Sequence, residues 1–247
     1  MSRAALVTGA GKRIGRAIAL ALADAGFDVA VHYGSSAPEA EAVAAEIRAK
    51  GRKASALKAD LTDDAETRSL IARAAEALGP ISLLVNNASL FLDDRIETLS
   101  REHFDAQIAT NLYAPLALAQ AFAAQAPEGS SIVNLTDQRV WKPTPQFFSY
   151  AVSKAGLWFA TRMLAQALAP KIRVNAVGPG PTLPSIHQKP GEFDAEAAAV
   201  PLERRSTPED IARAVLYLVD ARSTTGQMIA VDGGQHLGWR TPDVIEP

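Results

Sequence analysis

Short apolar runs alternate with longer stretches whose hydrophobic positions recur at helical spacing, and the alternation holds along nearly the whole chain. The runs at residues 4–8, 28–33, 53–59, 81–86, 131–136, 172–177 and 228–231 predict seven strands. Most are apolar on both faces, as strands covered by helices on either side must be. The stretches at 13–25, 37–50, 63–78, 101–124, 153–168 and 208–220 predict helices. Thr207 followed by Pro208 and Asp210 signals a helix start, with a hydroxyl cap and a proline in the first turn. Strand and helix in regular succession predict an α/β fold, a Rossmann-type doubly wound parallel sheet of seven strands.

Two of the helical stretches lack a polar face. Residues 104–124 and 156–169 are apolar nearly all round, which fits packing against a second copy of the chain or deep burial within one copy. A homo-oligomer, dimer or tetramer, is the expectation. Residues 181–205 break the rhythm: the segment is long for a connection and rich in Pro, Glu, Ser and charge, which predicts a substrate-binding loop.

At 247 residues the chain is close to what one hydrophobic core supports, so residues 1–247 are expected to form a single domain. A net charge of -2 supplies no field for a polyanionic backbone, and nucleic acid is not an expected partner. Without cysteine there is no disulfide, thiolate metal site or Cys nucleophile, and no metal site is expected. The apolar run near the amino terminus is too short for a leader core or a membrane span; the cytoplasm is the expected compartment, with a small molecule as partner.

Thr8-Gly9-Ala10-Gly11-Lys12-Arg13-Ile14-Gly15 joins the first strand to the first helix, where backbone N–H groups and the helix dipole of such a sheet hold a pyrophosphate. The second strand ends Val31-His32-Tyr33-Gly34-Ser35-Ser36, without the acidic residue that bonds the ribose hydroxyls in NAD sites. Ser35 and Ser36 open the next helix, where hydroxyls and dipole favour a 2'-phosphate, so NADP(H) is the expected cofactor. The same serines could simply cap that helix. His32 is either a ligand contact or a packed strand-end residue. Farther on, Tyr150 and Lys154 are spaced to share a helix face. A lysine cation favours the phenolate, so it should bring the phenol toward the working range and make Tyr150 a proton donor.

These motifs together resemble the short-chain dehydrogenases/reductases, and the resemblance runs from Thr8 to Val231-Asp232-Gly233-Gly234. It implies a cofactor site made by Gly9, Gly11, Lys12, Arg13, Ile14, Gly15, His32, Tyr33, Ser35, Ser36, Asp60, Leu61, Asn87, Ala88, Ser89, Tyr150, Lys154, Pro179 and Gly180. It implies a catalytic set of Tyr150, Lys154 and Asn111, with Lys154 also holding the nicotinamide ribose. Two positions depart from the family pattern. Arg13 stands at the middle glycine of the turn, and Asp137 stands where a serine usually holds a substrate carbonyl, unless Thr136 takes that place one residue early. A carboxylate beside the tyrosine opposes the lysine, which is odd for a plain carbonyl reductase. Both departures, together with Asn87-Ala88-Ser89-Leu90-Phe91, resemble the pteridine reductases, including dihydromonapterin and dihydrobiopterin reductases. That resemblance implies a catalytic Asp137 and substrate contacts from Arg13, Ser89, Phe91, Asp137 and Tyr150, with Phe91 stacking the pterin. A carbonyl or 3-oxoacyl thioester reductase, and a non-catalytic NADP-binding protein, are the alternatives.

Overall fold

In the computed structural model, which describes residues 3–239, seven strands are hydrogen-bonded in the order β3-β2-β1-β4-β5-β6-β7, and every pairing is parallel. They are β1 (Arg3–Val7), β2 (Phe27–Tyr33), β3 (Ala54–Lys58), β4 (Ile81–Asn86), β5 (Ser130–Leu135), β6 (Ile172–Pro179) and β7 (Met228–Val231). The order reverses direction between β1 and β4, and in open sheets of this kind ligands bind at the carboxyl ends of the strands beside that reversal.

The pleat sorts the core into two layers. Val7, Val31 and Val85 face α1 (Arg13–Asp24), α2 (Ala37–Ala49) and α8 (Pro208–Asp220), meeting Ile18, Leu22, Val43, Ile47, Ile211 and Val215. Leu6, Ala30 and Leu84, their neighbours in sequence, face α3 (Asp64–Leu78), α5 (Ala114–Gln125) and α6 (Phe148–Leu168), meeting Leu70, Ile71, Leu118 and Phe122. The start of α8 is as the sequence predicts: the Thr207 side chain accepts from the Asp210 N–H while Asp210 accepts from the Thr207 N–H.

Three expectations are corrected. The helix predicted over 101–124 is broken: α4 (Arg101–Ile108) ends in a π turn, Ala109–Tyr113, before α5 resumes. The helix predicted to start at 153 starts at Phe148, so Tyr150 and Lys154 both lie in its first two turns. The 181–205 segment contains its own helix, α7 (Glu192–Ala198), seated by the buried Phe193, Ala197 and Val200. The all-apolar helices also divide. α5 buries Ala114, Leu118 and Phe122 within the chain, whereas α6 leaves Val152, Phe159 and Met163 exposed. Among the described residues no helix is long and apolar enough to cross a membrane.

Candidate active site

The carboxyl ends of β1, β4, β5 and β6 open into a cleft of about 850 Å³. Its lining includes Gly9, Lys12, Arg13, Ile14, Gly15, Asn87, Ala88, Ser89, Phe91, Asp137, Tyr150, Lys154, Pro179 and Gly180, so most of the residues singled out from the sequence converge here. Gly11, Tyr33, Ser35, Ser36, Asp60 and Leu61 lie outside that lining, toward the ends of β2 and β3.

The glycine turn is built for close backbone approach. A Cβ on Gly15 would fall 2.2 Å from the Gly9 carbonyl oxygen, and Gly9 has φ of +62°. Asn87 braces the turn through Nδ2 to the Thr8 and Gly9 carbonyls (2.8 and 3.2 Å). The amino terminus of α1 has no side-chain cap and no acidic residue in its first turn, leaving its N–H groups and dipole open to an anion. Ser36, at the N-cap of α2, makes no capping hydrogen bond either. Sequence reading missed one carboxylate nearby: Glu39, in the first turn of α2, pairs with Lys12 at 2.7 Å.

His32 needs correcting. Its ring is buried; Nδ1 accepts from the Gly9 N–H at 3.0 Å and Nε2 lies 3.1 Å from the Ala59 carbonyl. The ring thus ties the glycine turn to the end of β3, a packed strand-end residue with both nitrogens occupied within the protein. Burial lowers its pKa from 6.5 to about 4, keeping it neutral.

Arg13 occupies the middle-glycine position with φ of +53°, a left-handed conformation that a glycine adopts without strain. From there its guanidinium donates to the carbonyls of Pro184 (3.0 Å) and Leu183 (3.2 Å) in the segment closing over the cleft. His187 adds a second tie, with Nε2 3.0 Å from the Phe91 carbonyl, and Glu196 on α7 a third, accepting from Gln188 and Gln235.

At the other end of the cleft, the Tyr150 hydroxyl donates to Asp137 Oδ2 at 2.8 Å. The Thr136 hydroxyl is engaged by the Val177 carbonyl at 3.0 Å, so Asp137, not Thr136, stands beside the phenol. The Lys154 ammonium donates to the Leu135 carbonyl at 2.7 Å and sits 5.7 Å from the Tyr150 ring centroid. Burial drives all three groups away from their charged forms. The Asp137 carboxyl is raised by burial, against the Arg139 backbone N–H and guanidinium. Lys154 falls to about 8 through burial, against the pull of Asp137. Tyr150 is pushed well above 10 by burial and then by the charge and hydrogen bond of Asp137. The expected acidification of the phenol by Lys154 is therefore overridden: the pair is a protonated phenol against a carboxyl whose pKa burial raises.

Asn111 lies in the π turn, fully buried, and its amide is wholly occupied. It accepts from the Leu90 N–H (2.7 Å) and the Ser89 hydroxyl (3.2 Å) and donates to the Leu90 carbonyl (2.8 Å) and Ser153 (3.0 Å). Its side chain thus fixes the loop after β4 against α6. Phe91 on that loop stacks on Phe147 at 4.3 Å between centroids and meets Tyr150 edge-on at 4.6 Å. Phe147, Arg139, His187 and Glu196 line the cleft as well. Sequence reading reached His187 and Glu196 only as members of the 181–205 loop and missed Phe147 and Arg139, of which the aromatic doublet Phe147-Phe148 just before the tyrosine was the one signal.

Residues 9–236 match the enoyl-(acyl carrier protein) reductase family model, and with this sheet and site the chain belongs to the short-chain dehydrogenase/reductase family of oxidoreductases. It is similar to FolM alternative dihydrofolate reductase 1 from Brucella canis, solved in complex with NADP, at 48% identity and a TM-score of 0.95, covering 98% of this chain and 97% of that one. A short-chain dehydrogenase from Burkholderia cenocepacia in complex with NADP is 37% identical, with a TM-score of 0.89, covering 95% of this chain and 97% of that one. The 3-oxoacyl-[acyl-carrier-protein] reductase FabG of Staphylococcus epidermidis is 35% identical over 244 residues, 96% of this chain and 100% of that protein.

Proposed function

We propose that the protein is an NADPH-dependent reductase of a C=N bond in a pteridine of the dihydropterin or dihydrofolate type. The observation that carries this reading is the hydrogen bond from Tyr150 to Asp137 beside Phe91, in a cleft whose other end is the glycine turn. When bound, the cofactor supplies a hydride to the ring carbon of the substrate. The glycine turn fits a dinucleotide, because Gly15 lets α1 pack directly against the Gly9 carbonyl and α1 presents an uncapped amino terminus. Ser35 and Ser36, with Lys12 within reach of α2, suit the 2'-phosphate of NADP(H).

The residues at the far end do the proton work. The proton for the ring nitrogen comes from the Tyr150/Asp137 pair, with the phenol as donor, and solvent water returns a proton to the pair after each turnover. Asp137 also offers an acceptor to the N–H donors that a pteridine ring carries and a ketone lacks. Phe91 presents its ring as a stacking platform, and Ser89 and Arg13 flank it. Lys154 orients the ribose, and Asn111 holds the loop that carries Ser89 and Phe91. The Brucella relative at 48% identity supports the reading, as does the carboxyl in place of a serine. The staphylococcal relative favours a second one, reduction of 3-oxoacyl thioesters. The exposed Val152, Phe159 and Met163 suit a homo-oligomer.

The test is a substrate panel at saturating NADPH. Dihydrobiopterin, dihydromonapterin or dihydrofolate should turn over efficiently, and simple ketones and 3-oxoacyl thioesters poorly; the reverse pattern removes the pteridine reading and leaves the reductase. Asp137→Ser should lower pteridine turnover roughly tenfold or more while sparing any carbonyl activity.

A further inference from the structure

Helix α6 begins without a cap of its own. Phe147, at the N-cap, has φ of +55° and contributes no side-chain bond, so the first N–H groups of the helix that carries Tyr150 need partners from elsewhere. They find one residue, Asp94, on the loop after β4. The Asp94 carbonyl accepts from the Phe148 N–H at 3.2 Å, and its Oδ1 accepts from the Ser149 N–H at 3.0 Å. Its Oδ2 accepts from the Ser149 hydroxyl. Asp94 is 2% exposed and Ser149 is fully buried, so these bonds are shielded from water.

The place of this cap along the chain matters. Asp94 follows Phe91 by three positions, and Ser149 directly precedes Tyr150. The aromatic contacts cross the same junction, with Phe91 on Phe147 and on Tyr150. On its other side the loop is held by Gln107 of α4, whose Oε1 accepts from the Leu92 N–H at 3.1 Å.

We propose that Asp94 is a positioning residue for the reaction: as a cap supplied across the fold, it sets the distance and angle between the Tyr150 hydroxyl and the ring platform of Phe91. The proposal rests on Tyr150 and Phe91 acting as proton donor and platform. Asp94 itself touches neither cofactor nor substrate, and removing it lets the first turn of α6 fray and carry the hydroxyl off line. Loss of alignment of this kind costs roughly a hundredfold in rate when a reacting group moves by about an ångström.

Two substitutions separate geometry from charge. Asp94→Asn keeps an oxygen for the Ser149 N–H and turns an amide toward the Ser149 hydroxyl, so the cap survives without its charge. Asp94→Ala removes both side-chain bonds. Expected for Asp94→Ala are a fall in kcat/KM of about thirtyfold or more, carried mainly by kcat, and an NADPH Kd within about twofold of wild type. Its amides at 148–150 should exchange with deuterium faster while the rest of α6 keeps its protection. Asp94→Asn should retain kcat/KM within about threefold, with an unshifted pH profile. The proposal is overturned if Asp94→Ala keeps wild-type kcat, if Asp94→Asn is as impaired as Asp94→Ala, or if both lose NADPH affinity in parallel with activity. Should Asp94→Ala not fold, Ser149→Ala, which deletes only the hydroxyl bond, must show a smaller loss of kcat at unchanged NADPH affinity, and an unchanged kcat overturns the proposal. All variants are assayed on whichever substrate turns over in the wild type. A protein that reduces ketones and no pteridine thus refutes the substrate reading, while the ranking of the Asp94 variants still decides this one.

Discussion

The two ends of the cleft are made of different materials. The glycine turn at residues 8–15 works through main chain: Gly9 and Gly15 matter for the side chains they lack, and bracing comes from a backbone-directed amide, Asn87, and a buried imidazole, His32. The end that holds Tyr150 is built from side chains brought from four separate segments. Asp137 follows β5, Tyr150 and Lys154 belong to α6, Phe91 and Asp94 follow β4, and His187 and Glu196 come from the closing segment. A backbone cradle needs one short continuous stretch, and small changes around it leave its shape alone. A convergent set depends on every element that aims a member of it, so remote changes reach it.

The contrast can be broken most sharply at Tyr150. Tyr150→Phe keeps the ring but removes the transferable proton, and turnover should drop by at least about 100-fold with NADPH affinity nearly unchanged. Single-turnover rates with a cofactor titration check both halves; a parallel loss of affinity would mean the two ends are not separable.

Next in size is the imidazole behind the turn. His32 has a pKa of about 4 in the fold and about 6.5 in the unfolded chain, so between those values the unfolded state binds more protons and stability falls as pH falls. Across that window the loss approaches about 3 kcal/mol. Urea unfolding at pH 7 and pH 4.5 should show the loss in wild type and a smaller one in His32→Gln.

Replacing Ser35 and Ser36 by alanine should weaken NADPH alone, by about 1.5 to 3 kcal/mol for a hydrogen bond to a charged group, and leave NADH binding as it was. Calorimetric titration of both cofactors tests this. The smallest effect is expected where the two ends touch. Arg13→Gly relieves a left-handed residue, worth about 1 to 2 kcal/mol, and cuts both bonds to residues 183 and 184. The melting temperature should stay within about 4 °C, while limited proteolysis in the closing segment speeds up.

How much the sequence disclosed follows the same division. Each strand, the turn, the Tyr150–Lys154 spacing and the oddity of Asp137 lie in contiguous residues, so periodicity and motif reach them. The choice between the two readings of His32 lies beyond the sequence because burial and the Gly9 N–H decide it, and neither shows in a strand-end tripeptide. The direction of the Tyr150 shift is hidden from the sequence for a related reason. Spacing reveals the lysine, but desolvation, the larger effect, belongs to the packed protein. α7 stayed hidden because a seven-residue helix has too few turns to show a period, and Pro and charge on both sides resemble a loop. Asp94 and Ser149, separated by 55 positions, carry no local sign of each other.

The π turn at Ala109–Tyr113 acts as a phase shifter between two helices that serve different neighbours. α4 packs on α6 and α5 packs on α3, with one surplus residue between them. One residue is about 100° of helical rotation. Deleting one residue here would heal the turn into continuous α-helix while keeping composition and hydrophobicity almost intact. Wound as unbroken α-helix at its present length, the chain would instead swing either Gln107 and the aromatic loop or the Leu118 and Phe122 stripe out of register by more than a quarter turn. The wide turn thus takes up a residue that an unbroken helix would convert into a phase error between its two neighbours.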